Sequence, residues 1–178
     1  DKFVTAPNTL GTQMKATGEV MGIGSTLTEC MLKSVRSLET GVCHFHLAKF
    51  DSYTDEELFD YLGTFRDNGI YAVFELLRRG VSVEKLHEAT MITSLFLESF
   101  REIVEMEKTL KKNVNSLGIL KQAKVMGFSD KFIAKLWNMP ETNVWTLRRE
   151  NSIKPVYRMV DTCHTGAYIP YFYSSYAG

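Results

Sequence analysis

Residues 93–112 read TSLFLESFREIVEMEKTLKK, the longest stretch of helical periodicity in this 178-residue chain. Apolar side chains recur there at every third or fourth position, which is the spacing of one face of an α-helix. The predicted apolar stripe consists of Phe96, Phe100, Ile103, Val104 and Leu110. The charged side chains that we expect to face away from it are Glu98, Arg101, Glu102 and Glu105. This segment is predicted to be the longest helix of an all-helical domain.

Capping signals predict four shorter helices before this segment. A Ser or Thr followed three residues later by Glu is typical of a helix N-terminus, and glycine of its end. The four predicted helices run from Thr26 to about Glu39, from Thr54 to about Asp67, from Asn68-Gly69 to Arg79, and from Ser82 to about Thr90.

Three short helices are predicted after it, and both ends of the chain are predicted to be extended. The helices are 117–126, ended by Gly127; 129–138, capped by Ser129; and 140–150, with Pro140 at the first helical position. The extended segments are 13–23, Val156–Val160 and Tyr168–Tyr176. The fold class is therefore mainly α, a compact domain of about eight short helices with extended connectors. We divide the chain into 1–25, 26–155 and 156–178.

The composition excludes several classes of protein. The chain is 44% hydrophobic and 24% charged, near the averages for soluble globular domains, and it has 21 basic and 21 acidic residues. Its apolar runs are far shorter than the roughly 20 residues that span a bilayer, and no secretory signal opens it. Three widely spaced cysteines indicate reduced thiols in the cytoplasm. Because the chain starts at Asp1, we expect it to be a segment of a longer protein.

Charge is distributed unevenly along the sequence. Residues 51–107 carry 13 acidic and 5 basic residues, a net of −8. Residues 118–158 carry 8 basic and 3 acidic residues, a net of +5. A bipolar domain of this kind could associate head to tail with itself, or bind two different neighbours.

No pattern for a metal, a nucleophile or a phosphate is convincing. Thiolate and imidazole are preferred zinc ligands, but the five candidates match no compact zinc spacing. They are Cys43, His44, His46, Cys163 and His164. Asp161 beside Cys163 and His164 suggests a nucleophile with a base, yet neighbours in a strand point to opposite faces. Gly22-x-Gly24 lacks the remainder of a nucleotide fingerprint. We therefore predict no catalytic, cofactor-binding or metal-binding residue.

Residues 129–150 have the outline of a helix-turn-helix unit, with a turn at Asn138-Met139-Pro140. Their basic surroundings have the right sign for contacts with DNA phosphates. Against this interpretation, the second helix carries a bulky Trp145 where a short polar side chain would read a base. A DNA-binding module remains the alternative hypothesis for function.

Several strings together resemble one family, the large chain of carbamoyl-phosphate synthase. Thr12–Gly24 (TQMKATGEVMGIG) resembles the end of its first ATP-grasp unit, and Leu32–Glu39 (LKSVRSLE) resembles the helix that follows. Two further strings resemble the distal part of the oligomerisation domain: Lys124–Asp130 (KVMGFSD) with Ile133-Ala134, and Pro155–Cys163 (PVYRMVDTC). Tyr171–Tyr176 (YFYSSY) resembles the lead into the second ATP-grasp half. Ser25 and residues 164–167 depart from the family pattern.

The resemblance implies that residues 1–25 end an ATP-grasp domain, that 26–155 form the oligomerisation domain, and that 156–178 lead into the second ATP-grasp half. The parent enzyme is implied to be a cytoplasmic, glutamine-dependent ligase. It makes carbamoyl phosphate for arginine and pyrimidine synthesis from bicarbonate, glutamine-derived ammonia and two ATP, with magnesium or manganese. Its implied partners are other large chains, the flanking ATP-grasp domains and the glutaminase small chain, with no nucleic acid and no membrane. No catalytic residue carries over to this segment.

Overall fold

The computed structural model describes residues 5–15, 19–160 and 171–177, and this part contains eight α-helices. They are α1 (Leu27–Ser37), α2 (Asp55–Leu62), α3 (Gly69–Arg78), α4 (Val83–Thr90), α5 (Ser94–Lys112), α6 (Leu117–Val125), α7 (Asp130–Trp137) and α8 (Glu141–Glu150). A 3-10 helix at Ala48–Ser52 lies between α1 and α2. The strands β1 (Val156–Met159) and β2 (Phe172–Ser175) pair antiparallel, with Val156 opposite Ser175. The predicted mainly α fold is confirmed.

The helix starts follow from side-chain capping. Thr54 forms a complete capping box, because its hydroxyl accepts from the Glu57 amide at 3.2 Å and its own amide donates to the Glu57 carboxylate at 2.7 Å. At Thr26 only half of the box forms. Its hydroxyl accepts from the Glu29 amide, whereas the Glu29 carboxylate accepts from the Ser25 amide at 2.8 Å.

Several predicted boundaries are wrong by a few residues. α1 ends at Ser37, and α2 ends at Leu62, where Gly63 is the C-cap. Pro140 is the N-cap of α8 rather than its first helical residue. Such ends depend on which terminal carbonyls find partners, which the local pattern determines only loosely. The 3-10 helix was not predicted.

The Gly22 backbone lies directly against α1. A Cβ atom at Gly22 would lie 2.2 Å from the carbonyl oxygen of Cys30, so only glycine fits without displacement. Gly22 lies in the segment 13–23 that was predicted to be extended, and the close backbone approach accounts for the glycine there. Residues 13–15 and 19–23 join no β-ladder.

α5 is the central element of the core, packing against α1, α3, α4, α6 and α7. Its buried apolar residues are Leu97, Phe100, Ile103, Val104 and Leu110. The predicted stripe was wrong at its first position, because Leu97 is fully buried while Phe96 is 40% exposed. Leu97 precedes Phe100 by three positions and Val104 by seven, so it continues the buried line along the helix. No helix within the described ranges is both long and apolar enough to cross a bilayer.

Candidate functional site

His44 and His46, two of the side chains considered as zinc ligands, lie in different surroundings. Asp161, Cys163 and His164 lie outside the described residues. His46 Nε2 lies 2.9 Å from Asp51 Oδ1 near the surface, whereas the buried His44 bonds to Glu107 and stacks on Phe132 with 3.6 Å between ring centroids. In the described part of the chain, no group of three or more His, Cys, Asp or Glu side chains could hold a metal ion. That the protein binds no metal stays a prediction.

A buried ionic network centres on the carboxylate of Glu107. This carboxylate accepts two hydrogen bonds from Arg78, at 2.8 Å from Nε and 2.9 Å from Nη2, and a third at 2.9 Å from His44 Nε2. Burial alone would raise the pKa of Glu107, but these bonds and the guanidinium charge outweigh it and lower the pKa to about 2. Glu107 is therefore ionised at neutral pH.

The partners of Glu107 come from separate parts of the chain. Arg78 is the last residue of α3, and His44 lies in the loop after α1. Burial lowers the pKa of His44 more than the bond to Glu107 raises it, so the imidazole is neutral and donates through Nε2. Arg78 Nη2 also donates to the carbonyl of Phe45 at 2.6 Å. The network thus joins this loop to α3 and α5.

Local sequence patterns did not predict this network, although one signal was present. Glu107 lies three positions after Val104 and three before Leu110, on the buried line of α5. A charged residue in such a line requires a buried partner, since an unpaired charge there would be very unfavourable. The partners could not be identified, because they lie 29 and 63 positions away in sequence.

A second ionic network joins α6, α7 and α8 and bears on the DNA-binding hypothesis. Asp130 accepts from Lys124 at 2.8 Å and from two nitrogens of Arg148 at 2.9 and 3.1 Å. Burial raises the pKa of Asp130, but these two cations lower it by more, so the net shift is downward. Two of the basic side chains counted toward a DNA surface are therefore neutralised inside the domain. The two helices of the predicted unit exist, but the surface favours DNA less than the sequence suggested.

The turn between α4 and α5 exposes an apolar patch, formed by Met91, Leu95 and Phe96. Their exposed fractions are 74%, 71% and 40%. Met91 also has a left-handed backbone with φ of 58°, which is uncommon for a residue other than glycine. Exposed apolar side chains that are grouped at one helix junction favour an interaction there.

The apolar residues of α3 belong to the core and not to this patch. Tyr71, Phe74 and Leu77 are all buried, since α3 packs against α2, α5 and the 3-10 helix. Leu97 is buried as well. On α5, by contrast, Leu95 is exposed and Met106 is half-buried. The exposed apolar surface next to the patch therefore lies on α5.

An open groove with a volume of about 460 Å³ continues from the patch along α5. It lies between the first turn of α1, the outer face of α5 and the C-terminal end of α6. Leu95, Ser99, Glu102, Met106 and Thr109 follow one another at steps of four and three residues, so they share this outer face. All but Leu95 line the groove.

The fold and its exposed apolar surface together define a helical interaction domain. The ionic networks around Glu107 and Asp130 stabilise its fold. A family model described as "Carbamoyl-phosphate synthetase large chain, oligomerisation domain" matches residues 19–152. The chain belongs to this family, as the resemblance of its sequence strings implied. The parent family is a ligase family, and association with other copies of the large chain is the role that this domain supports.

Proposed function

We propose that the chain associates with copies of itself through the patch formed by Met91, Leu95 and Phe96. The exposure of these three side chains at one helix junction carries the proposal. Burying them against a partner removes apolar surface from water, at roughly 25 cal/mol per Å². The match to an oligomerisation domain supports a partner that is another copy of the large chain.

Light scattering across a concentration series tests this proposal. We expect an average mass that rises above the 20.3 kDa of one chain as the protein concentration increases. Met91→Ser combined with Leu95→Ser should shift the midpoint of association to higher concentration. Leu10→Ser with Met14→Ser is a matched control, because it removes the same two side-chain types from exposed positions elsewhere. A strictly monomeric mass at high concentration, in low and in moderate salt, would contradict the proposal.

Around this domain, the parent protein is proposed to be a glutamine-dependent carbamoyl-phosphate synthase of the cytoplasm. Its reaction would consume bicarbonate, glutamine-derived ammonia and two ATP with magnesium or manganese, in flanking ATP-grasp halves, with a glutaminase small chain as partner. The product would serve arginine and pyrimidine synthesis. The family match and the resemblance of Thr12–Gly24 and Tyr171–Tyr176 to ATP-grasp borders support this reading.

The chain itself is proposed to have no catalytic activity, since no phosphate-binding loop or nucleophile was identified in its sequence. An ATP hydrolysis assay on the purified chain checks this. We expect no turnover above buffer, with and without bicarbonate and ammonia. Activity that co-purifies with the chain through several columns would contradict it.

A further inference from the structure

The rim of the α5 groove carries negative charge, which restricts what can enter. Its apolar lining comes from Leu27, Met106 and Met126, while Glu102 and Glu105 stand on the exposed side. Glu105 is paired with Lys108 at 2.8 Å, but Glu102 makes no ion pair with any described residue. Two such grooves cannot face each other closely, because their carboxylates would repel. The groove therefore favours a partner that offers apolar surface together with a cation.

A surface on α8 has this chemistry. Trp145 is 45% exposed, and the Arg149 guanidinium lies 4.6 Å from its ring centroid. Arg148 beside it is already held by Asp130, whereas Arg149 forms no ion pair within the described residues. An exposed Trp–Arg pair on a rigid helix is the kind of anchor that dominates protein interfaces. We call these two residues the Trp145–Arg149 pair.

We infer that the α5 groove of one copy binds the Trp145–Arg149 pair of a second copy, with the indole on the apolar lining and the guanidinium against Glu102. This rests on the proposed self-association through the apolar patch, because the groove continues from that patch along the outer face of α5. A groove of about 460 Å³ has ample room for an indole and a guanidinium, since it equals a typical small-molecule site in volume. The groove and the pair are different surfaces of the chain, so a symmetric pair of copies would form this contact twice.

A charge exchange between the two surfaces tests the inference. One variant carries Glu102→Lys and Glu105→Lys, and another carries Arg149→Glu. Each alone places like charges at the contact, so we expect each to weaken self-association by about tenfold or more in Kd. When the two variants are mixed in equal amounts, both contacts between them pair opposite charges. The lysines in the groove of the first variant face the glutamate at position 149 of the second. The unchanged Arg149 of the first variant faces the unchanged groove of the second. The mixture should therefore regain association close to that of the original chain.

Matched controls separate this contact from a general effect of charge. Glu56→Lys with Asp60→Lys makes the same charge change at exposed positions of α2, and Lys154→Glu makes the same change as Arg149→Glu. We expect both controls to associate normally. Circular dichroism with thermal unfolding confirms that each variant is folded, as all these side chains are exposed.

The fluorescence of Trp145 provides a second measurement, because Trp137, the other tryptophan, is buried. Association should shift the emission to shorter wavelength, and the Glu102→Lys/Glu105→Lys variant should lose this shift.

The results distinguish failure of the inference from failure of the proposed function. If the original chain associates but the charge variants do too, the contact is elsewhere and only the inference is overturned. The same holds if both variants dissociate and their mixture stays dissociated. A chain that is monomeric throughout overturns both.

Discussion

Replacing Glu107 by Gln should destabilise the domain strongly, and by an amount that depends on pH. Glu107 is 3% exposed and accepts hydrogen bonds from Arg78 and His44. Gln removes the carboxylate nearest to the Arg78 guanidinium and leaves it the longer ion pair with Glu75, at 3.5 Å. Removing one partner of a buried ion pair typically costs about 3–5 kcal/mol. We expect a loss of this size in the free energy of unfolding at pH 7.

The pH dependence follows from the depressed pKa of Glu107. The folded-state value of about 2 lies below the ordinary 4.5, so ionisation stabilises the folded state fully above pH 4.5. That contribution disappears as pH falls through 2. A difference of about 2.5 units corresponds to about 3 kcal/mol. The gap in unfolding free energy between the original chain and Glu107→Gln should therefore narrow by about 3 kcal/mol from pH 7 to pH 2.

Urea unfolding followed by circular dichroism at pH 7, 5, 4, 3 and 2 measures this gap. Glu102→Gln is the matched control, since it makes the same change on the exposed face of the same helix. It should change stability by no more than about 0.5 kcal/mol at any of these pH values. A gap for Glu107→Gln that stays constant with pH, or that is as small as the control's, would refute the reasoning.

Three further substitutions test other parts of the fold by urea unfolding. Asp130→Asn should lower the free energy of unfolding by about 3–5 kcal/mol at pH 7, because two largely buried cations lose their shared carboxylate. A loss below about 1 kcal/mol would mean that the network does not stabilise the fold. Gly22→Ala should cost about 1–3 kcal/mol, since its Cβ would meet a carbonyl oxygen of α1 at 2.2 Å. Gly118→Ala is the control: it has open space around it in the first turn of α6, so it should be neutral or stabilise by up to about 1 kcal/mol. Thr54→Ala should cost about 1 kcal/mol through loss of the α2 cap, and an unchanged unfolding midpoint would contradict this.

Local sequence patterns determined the helices of this protein. The caps at Ser82 and Ser129 begin α4 and α7 where the pattern predicted, because a hydroxyl that accepts from an amide three residues ahead acts within one turn. The 3.6-residue periodicity that reveals α5 is equally local. The family assignment also came from sequence, since matching strings in the right order identify a family without knowledge of any contact. The proposed division at residues 25 and 155 remains a prediction.

The interaction surface and the buried charges were decided by tertiary structure alone. Periodicity shows that α5 has an apolar stripe, but neighbouring helices determine that Leu97 is covered and Phe96 left exposed. The count of charges over 118–158 likewise missed that Lys124 and Arg148 meet Asp130 inside the domain. A sequence records how many charges a segment carries. Which of them reach solvent depends on contacts between residues far apart in the chain, and these form only when the helices pack.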